Sequence, residues 1–135
     1  MDRLTPERRS ELMSRIRSRD TRPEMIVRRM LHALGYRYRL HDKRLPGRPD
    51  LVFPSRRSVI MVDGCFWHGH SCSLGSRPKS NSVFWQQKIE GNRARDDLNR
   101  LRLGALGWSV CSVWECETRS RDLESLRLRL TAFLG

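Results

Sequence analysis

The sequence predicts an α/β fold, a small mixed β-sheet flanked by helices on both faces. Three observations carry that prediction. Helical apolar spacing recurs in segments bounded by capping residues, and four short segments carry strand patterns. Their order, α-α-β-β-β-α-β-α, is that of a mixed sheet with helices packed on it. The length, 135 residues, suits one domain with a single modest core, spanning residues 1–135.

Thr5-Pro6-Glu7 reads as an N-cap followed by proline at the first helical position. A short, very basic helix should follow to about Arg17, making residues 1–18 a basic N-terminal arm. Thr21-Arg22-Pro23-Glu24 is a capping box, with Glu24 reaching back to the cap. The helix it opens should bury Met25, Ile26, Met30, Leu31 and Leu34 and stop at Gly35. Residues 36–40 alternate as a half-exposed strand. "LPGRPD" is a loop into a second strand at 50–53, and Pro54 to Arg57 turns the chain. The third strand, 58–63, is apolar through its middle and so buried. A loop at 64–81 precedes a helix from Ser82 to about Leu106, with a break expected near Gly91. Gly107 closes that helix. A fourth strand runs from Trp108 to Trp114. Ser120 should cap a last helix with Leu123, Leu126, Leu130 and Phe133 inward.

The formal net charge is +12, and 24 of the 27 basic residues are arginine. Such a surface attracts polyanions, nucleic acid above all. Arginine forks suit phosphate and guanine, although a GC-rich genome also favours arginine over lysine. Fourteen of the 27 precede Pro49, which places much of the phosphate-facing surface in the first third. No apolar run is long enough to span a membrane, and the N-terminus lacks the apolar stretch of a signal peptide. A cytoplasmic location is therefore expected, where four cysteines are thiols or metal ligands rather than disulfides.

Cys65, His70 and Cys72 lie within eight residues, and Cys116 follows "VWE" after the fourth strand. A set of three cysteines and one histidine makes a closed, structural zinc site. The spacing alone also allows His68 in place of His70. Cys111, inside the strand, reads as a small core hydrophobe.

The acids form a second constellation. Pro49-Asp50 begins one strand, and Asp63 ends the next. In many nucleases such a pair holds Mg²⁺, which binds the scissile phosphate and activates water. Phosphate repels carboxylate unless a cation stands between them.

Taken together, "LPGRPDLVF", "VDGCFWHGHSC", "FWQQKIEGNRARD", "LGW" and "VWEC" closely resemble the very short patch repair (Vsr) endonucleases. The likeness runs in order and spacing from about Arg15 to Cys116. It implies a PD-(D/E)xK nuclease fold with a structural zinc. It also implies Mg²⁺-dependent nicking of one DNA strand beside a T·G mismatch, the product of deaminating 5-methylcytosine. By position, Asp50 is implied as the principal Mg²⁺ ligand, with the backbone carbonyl of Val62 beside it. His68 is implied as the base that takes a proton from the attacking water. Glu24 and Asp96 would hold waters on the ions. Cys65, His70, Cys72 and Cys116 match the zinc ligands. Where familiar relatives have a histidine before Gly-Cys, this chain has Asp63, which should add a metal contact.

The resemblance further implies Phe66 and Trp67 as wedges entering the base stack, with Met13 inserted from the other groove. Wedging unstacks a step at a few kcal/mol, less where the step is mismatched. Lys88 and Asn92, one helical turn apart, would read the shifted T·G edges. Duplex DNA is the implied partner, a mismatch-repair protein a further family expectation, and a monomer the expected state. Two alternatives are a restriction-like nuclease on the same scaffold and a non-catalytic zinc-containing DNA-binding module.

Overall fold

The computed structural model of the chain describes residues 20–68, 70, 72 and 81–135. Helix α1 (Arg22–Ala33) starts where its sequence supplies a cap. Thr21 Oγ1 accepts from the Glu24 N–H at 3.4 Å, with proline in the first turn. Glu24 does reach back, to the N–H of Asp20 at 3.3 Å. The helix closes with Gly35 N–H donating to His32 C=O and Tyr36 N–H to Leu31 C=O. Gly35 takes φ 97°, a value that suits glycine and satisfies two carbonyls left over at the helix end. The buried face is Glu24, Val27 and Leu31. The expected stripe is thus corrected: Val27, one turn before Leu31, is central, while Leu34 sits exposed where the chain turns away.

Strands β1 (Arg39–Leu40), β2 (Leu51–Phe53), β3 (Ser58–Asp63) and β4 (Ser109–Trp114) form one sheet in that order. β1 and β2 are antiparallel, as are β2 and β3, whereas β3 and β4 are parallel. A 3₁₀ turn (Pro54–Arg56) joins β2 to β3. The parallel pair is bridged by helix α2 (Ser82–Ala105). A parallel pair needs such a crossover. β1 is shorter than its alternating sequence suggests because Phe53 leads straight into the 3₁₀ turn and leaves no ladder for Tyr38. The alternation survives as packing: the Tyr36 and Tyr38 rings meet Phe53 edge-on at 6.3 and 5.8 Å.

α2 is continuous through Gly91. One interior glycine costs only about 1 kcal/mol against alanine, too little to break so long a helix. Gly107, at φ 88°, closes it with the same double carbonyl capture seen at Gly35. A short helix α3 (Glu115–Thr118) follows β4 directly, so Ser120 caps nothing. The last helix α4 (Glu124–Leu134) starts later, where Asp122 Oδ1 accepts from the Glu124 N–H at 2.8 Å.

The helices cover both faces of the sheet. On one, Val27 and Leu31 of α1 and Leu126, Leu130 and Leu134 of α4 pack on Leu51, Phe53, Ile60 and Val113. Cys111 lies in the same core, as expected of a small hydrophobe. On the other face, Leu103 of α2 meets Val52 and Val59. Each fully buried side chain of this size contributes about 1.5–3 kcal/mol. Among the described residues no helix is long and apolar enough to cross a membrane.

Candidate active site and metal cluster

Antiparallel β2–β3 and parallel β3–β4 place the start of β2 and the ends of β3 and β4 at one edge of the sheet. The sequence-predicted acids converge there, around a cleft of about 500 Å³ lined by Asp50, Val62, Asp63, His68 and Asp96. Asp50 stands one residue before β2. Its Oδ2 accepts from the N–H of Val62 at 2.7 Å. In a strand the N–H and C=O of one residue face the same neighbour. The Val62 carbonyl is therefore turned towards the Asp50 side of β3.

Burial pushes the Asp50 carboxyl up to about 8. The Val62 N–H pulls the other way, and the Glu24 and Asp63 carboxylates push it further up. Glu24, 2% exposed, lies behind Asp50 and is linked to it through His41. His41 Nε2 is 2.9 and 3.0 Å from the two Glu24 oxygens and 3.9 Å from Asp50 Oδ1. Arg28 offsets part of the Glu24 charge at 3.3 Å. A cation beside Asp50 would favour its ionised form against that burial. Carboxylate and carbonyl oxygens are the hard ligands that suit Mg²⁺.

On the opposite wall, His68 Nδ1 makes a short contact with Asp96 Oδ2 of α2. An ionised carboxylate only accepts, so this contact suits the tautomer with its proton on Nδ1, whose neutral ring has its lone pair on Nε2. Nε2 is 3.9 Å from Asp63 Oδ1. Asp63 itself is 8% exposed, and its Oδ2 lies 3.7 Å from the Arg100 guanidinium.

Just beyond the cleft, Cys65 after β3 and Cys116 in α3 meet His70 and Cys72. The four ligand atoms all lie within 4.8 Å of one another. Zinc–sulfur bonds of about 2.3 Å set tetrahedral sulfurs about 3.8 Å apart, so the cluster needs only slight contraction to hold one ion. His70, not His68, belongs to the cluster. Its ring stacks on Trp114 at 4.3 Å, and its N–H donates to Cys65 C=O at 2.9 Å. Burial drives the Cys65 thiol up to about 12 and raises Cys116 as well. Closing the cluster would clamp the segment that carries Phe66, Trp67 and His68.

The two adjacent aromatics differ in exposure. Phe66 is half-buried and Trp67 is 6% exposed, and both rings pack edge-on against Trp85 of α2, at 5.3 and 5.9 Å. Lys88 Nζ lies 5.8 Å above the Trp67 ring, and Asn92 Nδ2 donates to the Trp67 carbonyl at 2.8 Å. The expected pair on α2 thus faces the Phe66–Trp67 segment, and Trp67 is a packed ring rather than a projecting one. Met13 and the basic N-terminal arm lie outside the described residues.

A family model described as DNA mismatch endonuclease Vsr matches residues 1–74. The type II nicking enzyme V.XorIIP of Xanthomonas oryzae is 56% identical, over 98% of this chain and 96% of its own length. The chain belongs to the Vsr family. The type II nicking enzyme V.NmeAIP of Neisseria meningitidis is 44% identical, over 94% of this chain and 91% of its own. The DNA mismatch endonuclease Vsr of Escherichia coli is 44% identical, over 84% of this chain and 73% of its own.

For this Vsr chain the sequence does not single out His41 or Arg100, which also line the cleft. His41 follows the first strand with no motif around it, and only its place across from Glu24 reveals it. Arg100 did leave a signal. It lies four residues after Asp96 on the predicted helix, hence on the same face.

Proposed function

We propose that this chain is a Mg²⁺-dependent, zinc-stabilised endonuclease that nicks one strand of duplex DNA beside a T·G mismatch. The supporting observation is the pairing across one cleft of an Asp50–Val62 oxygen site with the Asp96–His68 contact. The first suits a hard cation and the second a base, and a module that only bound DNA would have no use for carboxylates facing phosphate. Membership of the Vsr family and relatives named as nicking enzymes support the same reading.

Mg²⁺ bound at Asp50 and the Val62 carbonyl would screen the phosphate and acidify water. Asp96 holds His68 with Nε2 as the basic nitrogen, able to take one proton from an attacking water. The water oxygen bonds to phosphorus, the bond from phosphorus to one sugar oxygen breaks, and that oxygen leaves with a proton from solvent. Glu24, held by His41, orders water behind Asp50. Asp63 would add a further carboxylate contact to that cation. Cys65, His70, Cys72 and Cys116 hold zinc and keep His68 in place. The scaffold fits the PD-(D/E)xK nuclease type, and the whole chain acts as one domain.

Phe66 and Trp67 enter the stack at the lesion, Met13 approaches from the other groove, and Lys88 and Asn92 contact the mismatched edges. The net charge of +12 supports a DNA partner. The role is repair of deaminated 5-methylcytosine in the bacterial cytoplasm, by a monomer, with a mismatch-repair protein as an accessory partner. The deciding experiment compares nicking of matched duplexes with and without a T·G pair, each with and without Mg²⁺. Equal cutting of both duplexes would favour a restriction-like enzyme. Binding without any cutting would leave only a DNA-binding module.

A further inference from the structure

We propose that Arg100 is a further catalytic residue of the cleft, the cation that grips the scissile phosphate from the wall opposite Asp50. The inference rests on the endonuclease reading above and assigns that site a phosphate-binding side chain.

The nuclease type that the chain resembles carries a lysine two residues after its second acid. Here the acid is Asp63, and two residues on stands Cys65, a member of the cysteine–histidine cluster. β3 therefore brings no cation into the cleft. Yet Asp50, Asp63 and Asp96 all line it, so an entering phosphodiester meets three carboxylates. Lys43 and Arg48 line it too, but both are exposed, on the loop between β1 and β2. Arg100 is partly buried and tethered. Its guanidinium donates to Ser112 Oγ at 2.6 Å and approaches Asp97 at 3.4 Å. Those contacts engage two of its five N–H groups.

The relation to Asp63 separates this role from plain charge neutralisation. A closed guanidinium–carboxylate pair sits at about 2.7–2.9 Å. Here the gap is 3.7 Å, with Ser112 on β4 holding the fork short of contact. The fork is aimed without being consumed. Arg100, like His68 and Asp96, also lines a second depression, so it borders both hollows. When the water oxygen bonds to phosphorus and the sugar oxygen leaves, charge spreads over the non-bridging oxygens. A planar fork of fixed donors stabilises that charge more than it stabilises the ground state.

The test uses the full chain, zinc-loaded, on one T·G duplex with Mg²⁺. Arg100→Met should lower kcat by about a hundredfold or more, as loss of one preorganised donor does elsewhere. Its affinity for the duplex and its Mg²⁺ half-saturation should stay within roughly threefold of the parent. Arg100→Lys should recover all but about tenfold, since it restores charge without the fork. Guanidinium ion at non-denaturing concentration should accelerate Arg100→Ala and leave the parent unchanged. That rescue separates a missing cation from a misfolded variant. The proposal is overturned if Arg100→Met turns over within threefold of the parent, if its loss lies in affinity rather than kcat, or if guanidinium rescues nothing. A parent that never nicks the T·G duplex would overturn the endonuclease reading instead.

Discussion

The N–H of Val62 donates to Oδ2 of Asp50 across 2.7 Å, which pins the acid at the start of β2 to the end of its antiparallel neighbour β3. Removing that acid tests the centre of the cleft. Asp50→Ala should abolish nicking, because it deletes the carboxylate that faces the cation. DNA binding should persist or tighten, since a negative charge beside phosphate is gone. Cleavage above a few per cent of the parent rate would refute the assignment.

The same residue predicts a pH dependence. Burial lifts its carboxyl from 3.8 to about 8. A folded-state value above the unfolded one means that the folded chain keeps a proton the unfolded chain releases. The stabilisation is complete below about pH 4 and is lost as pH climbs through 8. In the zinc-loaded chain without Mg²⁺, melting temperature should fall across that window, and Asp50→Asn should flatten the fall. Mg²⁺ binds the deprotonated form, so its affinity should rise by about tenfold per pH unit up to 8 and then level. Titration of Mg²⁺ affinity between pH 6 and 9 checks this, and a flat profile would remove Asp50 from the site.

Much of this site was legible because its residues sit at strand ends and in cap motifs that the sequence states locally. Pro49-Asp50, Asp63 and the Cys-His segment needed only the strand order to meet. What the sequence hid was decided across space. His41 matters because a loop folds it onto Glu24 of a different element. Val27 displaced Leu34 from the core because Gly35 turns the chain before Leu34 can reach it. Trp67 reads as a projecting ring beside metal ligands, and only the position of Trp85 on α2 reveals its packing.

The cysteine–histidine cluster predicts one zinc per chain. Ionising three thiols in a buried place is unfavourable without a cation, as the rise of Cys65 to about 12 records. Zinc would supply that cation, at on the order of 10 kcal/mol in folding. Cys116→Ser should lose the metal and loosen the segment that holds Phe66, Trp67 and His68. Elemental analysis and a chelator melt check it. No zinc, with a melting temperature indifferent to chelator, would discard the site.

The aromatic pair predicts how a lesion is sensed. Trp67 sits under Lys88 and Asn92 in the DNA-free chain, and both rings pack against Trp85, so inserting either one means leaving Trp85. Each base–aromatic contact is worth about 1–3 kcal/mol. Truncating both rings to alanine should therefore weaken binding to T·G duplex by about tenfold or more, at about 1.4 kcal/mol per decade. Trp67→Ala also empties a buried place, at about 3–5 kcal/mol of stability, so Phe66→Ala alone must be measured beside the double variant. Phosphate contacts carry non-specific binding, which should hardly change and should keep its salt slope. The ratio of mismatch to perfect-duplex affinity should then collapse while background affinity stays. The measurement is a pair of titrations at one salt concentration, on duplexes that differ only at the T·G pair. Tryptophan emission followed in the same titrations should shift with the T·G duplex as Trp67 leaves Trp85 for the bases. An equal loss on both duplexes would make the rings general contacts or core, and the lesion would have to be read elsewhere.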